Sequence, residues 1–491
     1  MLALSLICSV LCAVLWSLRW PLVGDASLMH YVVFLMTKGM KPYRDIADIN
    51  LPGSYLFEAL GMRAFGWGAL GWRVYDLFLL LLTAIATRLI TKHRPFFGTV
   101  FATSTFALIH IQDGIAQLGQ RDLLIAVLIL WSYAFLFQAQ RRTQSGFFIL
   151  IAALLIGVAL TIKPIFLPLG VFLLLISAPQ MRRSGLRLSL HFACGLAGLL
   201  LPSIFVIIWL HTQGILAAFF NVASTLIPLH AELGRRSFSY LLAHATSPIA
   251  PLCVLWLVLL FFLRPKLDLE RLELLAGCGF AFLAYVAQGK GYPYHRYTLI
   301  ALILILMGMD FVEGLDRDRI SRGLSVIALA FGCFLFAPHA AWLSNSFLRS
   351  APFEDSLTSR LTALGPQRTG QVQCLDTFGG CINTLYDMRI VQATGYLYDC
   401  YLFTPQQNAI TARYREEFWS SYQAVRPKII IVTDQFCFGN SEGFHKLDTW
   451  PALDQELRNN YVLSTEWRSE VPQRWWARSE MPPQYRIYLR K

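Results

Sequence analysis

The sequence predicts an all-α polytopic membrane protein of about eleven transmembrane helices, followed by a small extracytoplasmic α/β domain. Three observations predict it. Only 15% of the 491 residues are charged and 56% are hydrophobic, whereas a soluble domain carries roughly 25% charge. Apolar runs recur at about the 17–25 residues that a helix needs to cross a bilayer. The composition then changes sharply near Asn345, beyond which polar and strand-like segments take over.

The apolar runs are residues 2–18, 69–90, 95–112, 121–138, 145–162, 164–179, 187–210, 249–263, 272–288, 297–312 and 324–343. Short loops rich in Lys and Arg mark the cytoplasmic side. With the N-terminus inside, the inner loops carry Arg88, Lys92, Arg94, Arg141, Arg142, Arg182, Arg183, Arg187, Arg264, Lys266, Arg271, Arg317, Arg319 and Arg322. The short outer connections hold only Arg121, Lys163, Lys290 and Arg296. Arg19, after the first helix, disagrees locally and is outvoted. The first helix lacks a positively charged start, so it reads as a retained anchor and not as a signal peptide. An odd number of spans leaves the first loop, the 211–248 loop and the C-terminal domain outside.

Residues 1–343 therefore form the membrane domain and 344–491 the extracytoplasmic one. Net charge is +12, yet the tail from 344 onward is nearly neutral, so the excess sits on the membrane part. It faces anionic lipid headgroups and is no signal for nucleic acid. In the tail, Lys428–Asp434 (KIIIVTD), QVQC and YRIYL predict strands, with helices at 354–364, 406–424 and 451–460. Cysteines 8, 12, 194, 253, 278 and 333 lie in helices as small apolar packing residues. Cys374, Cys381, Cys400 and Cys437 lie in the tail, where an oxidising compartment favours one or two disulfides of undetermined pairing.

Residues 20–68 are the first outer loop. Asp25 is placed to N-cap a stretch Ala26–Lys38 ending at Gly39. Pro52 suits the first turn of a helix 52–65, with Asn50 as its cap. Two short helices lying on the outer membrane face follow.

Charges close to a bilayer are costly and usually functional. The exceptions in this chain fall at outer helix ends: Asp25, Asp45, Asp48, Asp113, Arg121, Asp122, Lys163, Lys290, His295 and Arg296. Carboxylates and cations converging on one cavity suit a phosphate-bearing ligand and a proton-transfer step. Asp25 is either a general base for a sugar hydroxyl or a plain helix cap. Asp45 and Asp48, three apart in PYRDIADINLPG, either bind acceptor hydroxyls or a cation, or form a solvated Asx turn before Pro52. Arg121 and Asp122 open a helix, as ligand contacts or as an interfacial pair. Lys163 in TIKP has no acidic neighbour in sequence and calls for an anion. The loop GKGYPYHRYTL joins Lys290, His295 and Arg296 to Tyr292 and Tyr294, which suit a sugar face or an interfacial aromatic belt. Arg73 and Asp76 are spaced to pair on one helix. No P-loop, GxSxG, HExxH or dinucleotide fingerprint occurs, which argues against nucleotide-driven and soluble-hydrolase chemistry.

The opening loop, TIKP and KGYPYHRYTL resemble the GT-C superfamily of integral-membrane glycosyltransferases, which includes the protein O-mannosyltransferase and aminoarabinose transferase groups. The RgtA/B/C/D-like members are the nearest in pattern. The matching positions are Gly24, Asp25, Tyr31, then Gly39, Pro42, Tyr43, Arg44, Asp45, then Pro52, Gly53, and Phe65, Gly66. The resemblance implies a polyprenyl-phosphate-linked sugar donor and an envelope glycan, lipid or protein acceptor, at the outer face of a bacterial inner membrane. It implies Asp25 as catalytic carboxylate and Asp45, Asp48 or Asp122 as acceptor contact or second acid. Arg121, Lys163, Lys290, His295 and Arg296 become donor-phosphate contacts, and Tyr43, Tyr292 and Tyr294 sugar contacts. Many relatives follow the first aspartate with Glu; here Ala26 stands instead, so no acidic pair supports a divalent cation. A glycan or lipid transporter, or a non-catalytic envelope-assembly protein, is the alternative. A transporter would place polar groups near the bilayer midplane, whereas these helix middles are nearly free of charge.

Overall fold

The computed structural model describes residues 1–142, 146–345, 352–365, 368–404, 408–436, 444–468 and 484–491. α1 (Leu2–Ser17) is followed by α2 (Gly24–Thr37) and α3 (Pro52–Phe65), and then by the long apolar α4 (Ala69–Ile90), α5 (Phe96–Gln112), α6 (Arg121–Gln140), α7 (Gly146–Ile162), α8 (Leu167–Arg183) and α9 (Leu188–Thr212). Three short helices fill the next loop: α10 (Leu216–Ser224), α11 (Leu226–Glu232) and α12 (Phe238–Ala245). α13 (Ala250–Leu263), α14 (Leu269–Gln288) and α15 (Tyr297–Gly314) return to the bundle, and α16 (Arg319–Ala330) runs through a π-helical stretch into α17 (Ala337–Asn345). Each of the eleven predicted runs is a helix here. Among the described residues, six spans are long and apolar enough to cross a membrane, or seven with α12 and α13 taken together across their 43° bend, and α1, α5 and α7 are shorter apolar helices. The chain is an integral membrane protein.

Local chemistry explains where these helices begin and end. Pro52 supplies a pre-set φ at the start of α3. Asp268 caps α14 by accepting from the Arg271 amide, and Asp318 caps α16 through Ile320 and Ser321. In the bundle there is little hydrophobic drive between helices, so small residues set how closely they pack. α7 crosses α9 at Gly157 and Gly198, where a Cβ on Gly157 would sit 2.5 Å from the Gly198 carbonyl. α5 meets α15 in the same way at Gly98 and Gly308.

The tail folds around a four-stranded sheet of order β1-β2-β4-β3, from β1 (Val372–Leu375), β2 (Ile429–Thr433), β3 (Tyr461–Trp467) and β4 (Tyr485–Arg490). β1 and β2 are parallel and the other pairings antiparallel. Its helices are α18 (Pro352–Ala363), α19 (Cys381–Asp387), α20 (Asp399–Phe403), α21 (Ala409–Val425) and α22 (Pro451–Asn460). The three predicted strands and three predicted helices are present. β3, α19 and α20 were not predicted; β3 lies at the sheet edge with Val462 and Leu463 exposed, so its residues show no clean alternation. Cys374 and Cys381 form a disulfide, Cys400 is a free buried thiol, and Cys437 lies outside the described residues. The bridge closes a short loop, so Cys381→Ser should cost about 2 kcal/mol, measured as a lower unfolding midpoint that reductant no longer changes.

Of the two helices of the first loop, α2 is buried along most of its length and α3 is partly exposed, with Leu60 open. Ten consecutive residues of α2, Ala26 to Leu35, are buried, because the C-terminal domain covers the side that water or headgroups would otherwise meet. Tyr31 donates to the Ile390 carbonyl at 3.0 Å and accepts from the Gln392 amide at 2.8 Å. The Ala47 amide donates to the Gly395 carbonyl at 2.9 Å, and Asn383 to the Leu22 carbonyl at 3.0 Å. An amphipathic pattern records only that one face is apolar and cannot say which layer covers the other.

Candidate active site

Gly24 takes a left-handed φ of +57°, which turns the chain sharply into α2. The N-cap is Val23, so Asp25 does not cap the helix but lies in its first turn, where the helix dipole favours a carboxylate. Its Oδ2 accepts from the Tyr294 hydroxyl at 3.2 Å and from Gln120 Nε2 at 3.4 Å, and lies 3.6 Å from the Arg121 guanidinium. Asp25 keeps 23% and Arg121 16% of its side-chain surface accessible. The pair is enclosed yet reachable.

Arg121 also donates to Asn50 Oδ1 at 2.5 Å. Asn50 therefore does not cap α3, whose N-cap is Leu51. The Lys163 ammonium lies over the Tyr294 ring, 6.0 Å from its centroid. Lys163 is not the unpaired cation its sequence neighbours suggest. It donates to both Asp122 oxygens at 2.7 Å and also to Gln288, because the end of α7 packs beside the start of α6. His295 packs edge-on against Tyr294 at 4.7 Å, and Tyr292 lies 5.5 Å from the same ring. His295 Nδ1 is buried without a hydrogen-bond partner among the described residues.

The remaining candidates bond to other partners. Arg296 makes a two-pronged pair with Asp113 at 3.0 Å and also holds the His244 carbonyl and Ser247. Lys290 donates to the carbonyls of His230 and Leu233 at the end of α11, a favoured place for a cation. Asp45 and Asp48 share no face. Asp45 pairs at the surface with Arg44, whose guanidinium holds its carboxyl below the usual range. Asp48 is fully buried and forms the Asx turn: its Oδ1 accepts from the Asn50 amide at 2.9 Å. Tyr43 is buried, has a φ of +67° and donates to the Asn50 carbonyl at 2.6 Å. It braces the loop from below.

The turn that presents Gln120 and Arg121 rests on a buried polar network. Asp76 accepts from the Gly119 amide at 2.8 Å and from His110 Nε2 at 2.9 Å, and pairs with Arg73 as its spacing predicts. Trp72 Nε1 donates to the Leu118 carbonyl at 3.3 Å. Sequence reasoning missed Gln120, although it adjoins Arg121, and gave Asn50 another role. It also missed Glu58, which bonds His30 at 2.7 Å and whose carboxyl burial pushes upward. Tyr398 and His230 carry no local signal. Among the described residues no group of three or more His, Cys, Asp and Glu side chains is arranged to hold a metal ion.

No protein-family model and no curated protein sequence matches the chain. Solved structures do. The chain is similar to ArnT from Cupriavidus metallidurans bound to undecaprenyl phosphate, at 13% identity and a TM-score of 0.59, over 99% of this chain and 97% of that one. The apo ArnT structure gives a TM-score of 0.60 with the same identity and coverage. The Archaeoglobus fulgidus oligosaccharyltransferase in complex with Zn and sulfate gives 0.51 at 12% identity, over 87% of this chain and 67% of that one. Identities this low speak for fold and not for chemistry. Over almost its whole length, the chain shares the fold of ArnT.

Proposed function

We propose that the protein transfers a sugar from a polyprenyl-phosphate donor to an envelope glycan, lipid or protein acceptor, at the outer face of a bacterial inner membrane, with the C-terminal domain outside the membrane. The observation that carries this reading is the Asp25 carboxylate set among Arg121, Gln120 and Tyr294, with Lys163 over the Tyr294 ring. ArnT, whose fold the chain shares, has been solved with undecaprenyl phosphate, and this supports a donor of the same kind.

In this reading the acceptor hydroxyl gives its proton to Asp25 while its oxygen bonds to the anomeric carbon. The bond from that carbon to the phosphate oxygen breaks, its electron pair leaves with the polyprenyl phosphate, and the centre inverts. A general base of this sort is worth about 10²–10⁴-fold. Arg121 and Lys163 lie where they meet the charge gathering on the departing phosphate, and His295 with Tyr292 and Tyr294 forms the adjoining wall. Arg296 and Lys290 act as struts for the loops around the site. No metal is assigned a part. Deletion of the gene and mass spectrometry of envelope glycolipids tests the proposal. A species lacking one sugar, restored by the intact gene, is expected; an unchanged glycolipid and glycan profile would count against it.

A further inference from the structure

We infer that Tyr398, supplied by the C-terminal domain, is a positioning residue of the site: through Asp48 and Asn50 it fixes the direction in which Arg121 faces Asp25. The inference rests on the transferase reading above and deepens it.

The geometry forms one chain of bonds. Tyr398 donates its hydroxyl proton to Asp48 Oδ1 at 3.1 Å and accepts from Asn50 Nδ2 at 3.3 Å. Asn50 Nδ2 also donates to Asp48 Oδ1 at 2.8 Å. A carboxylate only accepts, so the Asn50 amide must turn its nitrogen toward Asp48 and its oxygen toward Arg121, which donates to it at 2.5 Å. Arg121 in turn lies 3.6 Å from Asp25. The link therefore spans from the C-terminal domain, through the first loop, to the start of α6. Tyr398 is held in turn. Its ring lies 5.6 Å from Tyr401, and Tyr401 hydrogen-bonds His230 of α11 at 2.8 Å. Burial together with Lys290 and Arg121 pushes the His230 imidazole down to about 3, so it stays neutral and adds no competing cation.

Asp48 makes the link sensitive to pH. Burial raises its carboxyl above the ordinary range, and Asn50, the charge of Arg121 and Tyr398 pull it back. The groups facing it are Arg121 from α6, Tyr43 and Tyr55 from the first loop and α3, and Tyr398; burial holds the three tyrosines above their usual value. The orienting form is the carboxylate, so its effect is present at higher pH and is lost as pH falls through the raised value. Removing the Tyr398 hydroxyl takes away one donor and moves that loss to higher pH.

The test uses full-length protein in detergent and undecaprenyl phosphate as the probe, with affinity measured from about pH 4 to pH 8, where carboxyl and imidazole groups titrate. Tyr398→Phe is expected to weaken binding about three- to tenfold at neutral pH, the scale of one hydrogen bond to a charged group, and to shift the acid limb upward. Asp48→Asn is expected to weaken binding and abolish that limb, and the double variant to add nothing further, as members of one network do. Should Tyr398→Phe fold poorly, Asn50→Ala, in a half-buried loop, carries the same expectation. Wild-type affinity and pH profile in Tyr398→Phe, with or without a lower melting temperature, would overturn the inference and leave the transferase reading intact. Failure of the wild-type protein to bind undecaprenyl phosphate at any pH would overturn both.

Discussion

Asparagine at position 25 is expected to lower sugar transfer by about 10²–10⁴-fold, the usual contribution of a positioned general base. The protein should still fold, because an amide fits the same space and its oxygen can accept from Tyr294 and from Gln120. Binding of undecaprenyl phosphate should change far less than turnover, since the contacts assigned to the phosphate come from Arg121 and Lys163. The measurement is loss of product in membranes carrying the variant, beside its affinity for undecaprenyl phosphate in detergent. Transfer at the wild-type rate would remove Asp25 from the role of base and return it to the bland role of a first-turn acid.

Leucine at position 308 should have the largest effect on the fold itself. Gly98 and Gly308 face one another across α5 and α15, and a Cβ on Gly98 would sit 2.5 Å from the Gly308 carbonyl. Backbone cannot move aside as a flexible side chain can, so the helices must separate along two of the best-buried segments of the bundle. Gly308→Ala should cost about 1–3 kcal/mol, and Gly308→Leu enough to remove monodisperse protein from detergent extracts. Gly279 and Gly323 have nothing within 4 Å of a built Cβ, so leucine at either should leave the elution profile unchanged. A Gly308→Leu protein that melted with the wild type would contradict close packing at this crossing.

Most of the bundle was legible because a membrane helix is a local event. Its backbone bonds close within the segment, and each apolar run declares its length directly. That is why residues 69–90 appear in the structure with the same bounds and the others within a few residues. Pro52 in the first turn of α3 is legible for the same reason, whereas the caps offered at Asp25 and Asn50 fall one or two residues away, on Val23 and Leu51. The cover over α2 was not legible because its surroundings are not local: ten buried residues need a second layer, which the C-terminal domain provides from three hundred residues further on. β3, at an edge with exposed Val462 and Leu463, carried no alternation to find.

The candidate site divides along the same line. By its residues alone, the sequence determined that acids and bases gather at the loop-bearing ends of the helices, and it singled out Asp25, Arg121, Lys163 and the Tyr294–His295 loop. Only the tertiary structure decided which of them meet. It joined Asp25 to Arg121 and Tyr294 and matched Lys163 with Asp122. It also diverted Lys290 to the end of α11, closed Arg296 onto Asp113, and chose Cys374 and Cys381 from among the tail cysteines. Residue type and depth follow from hydropathy along the chain, whereas the partner of a charge is set by which helix ends the packing brings within about 4 Å, the reach of an ion pair. Tyr398 is the clearest case: an unremarkable tyrosine in sequence, it reaches the site only because the C-terminal domain folds back over the first loop.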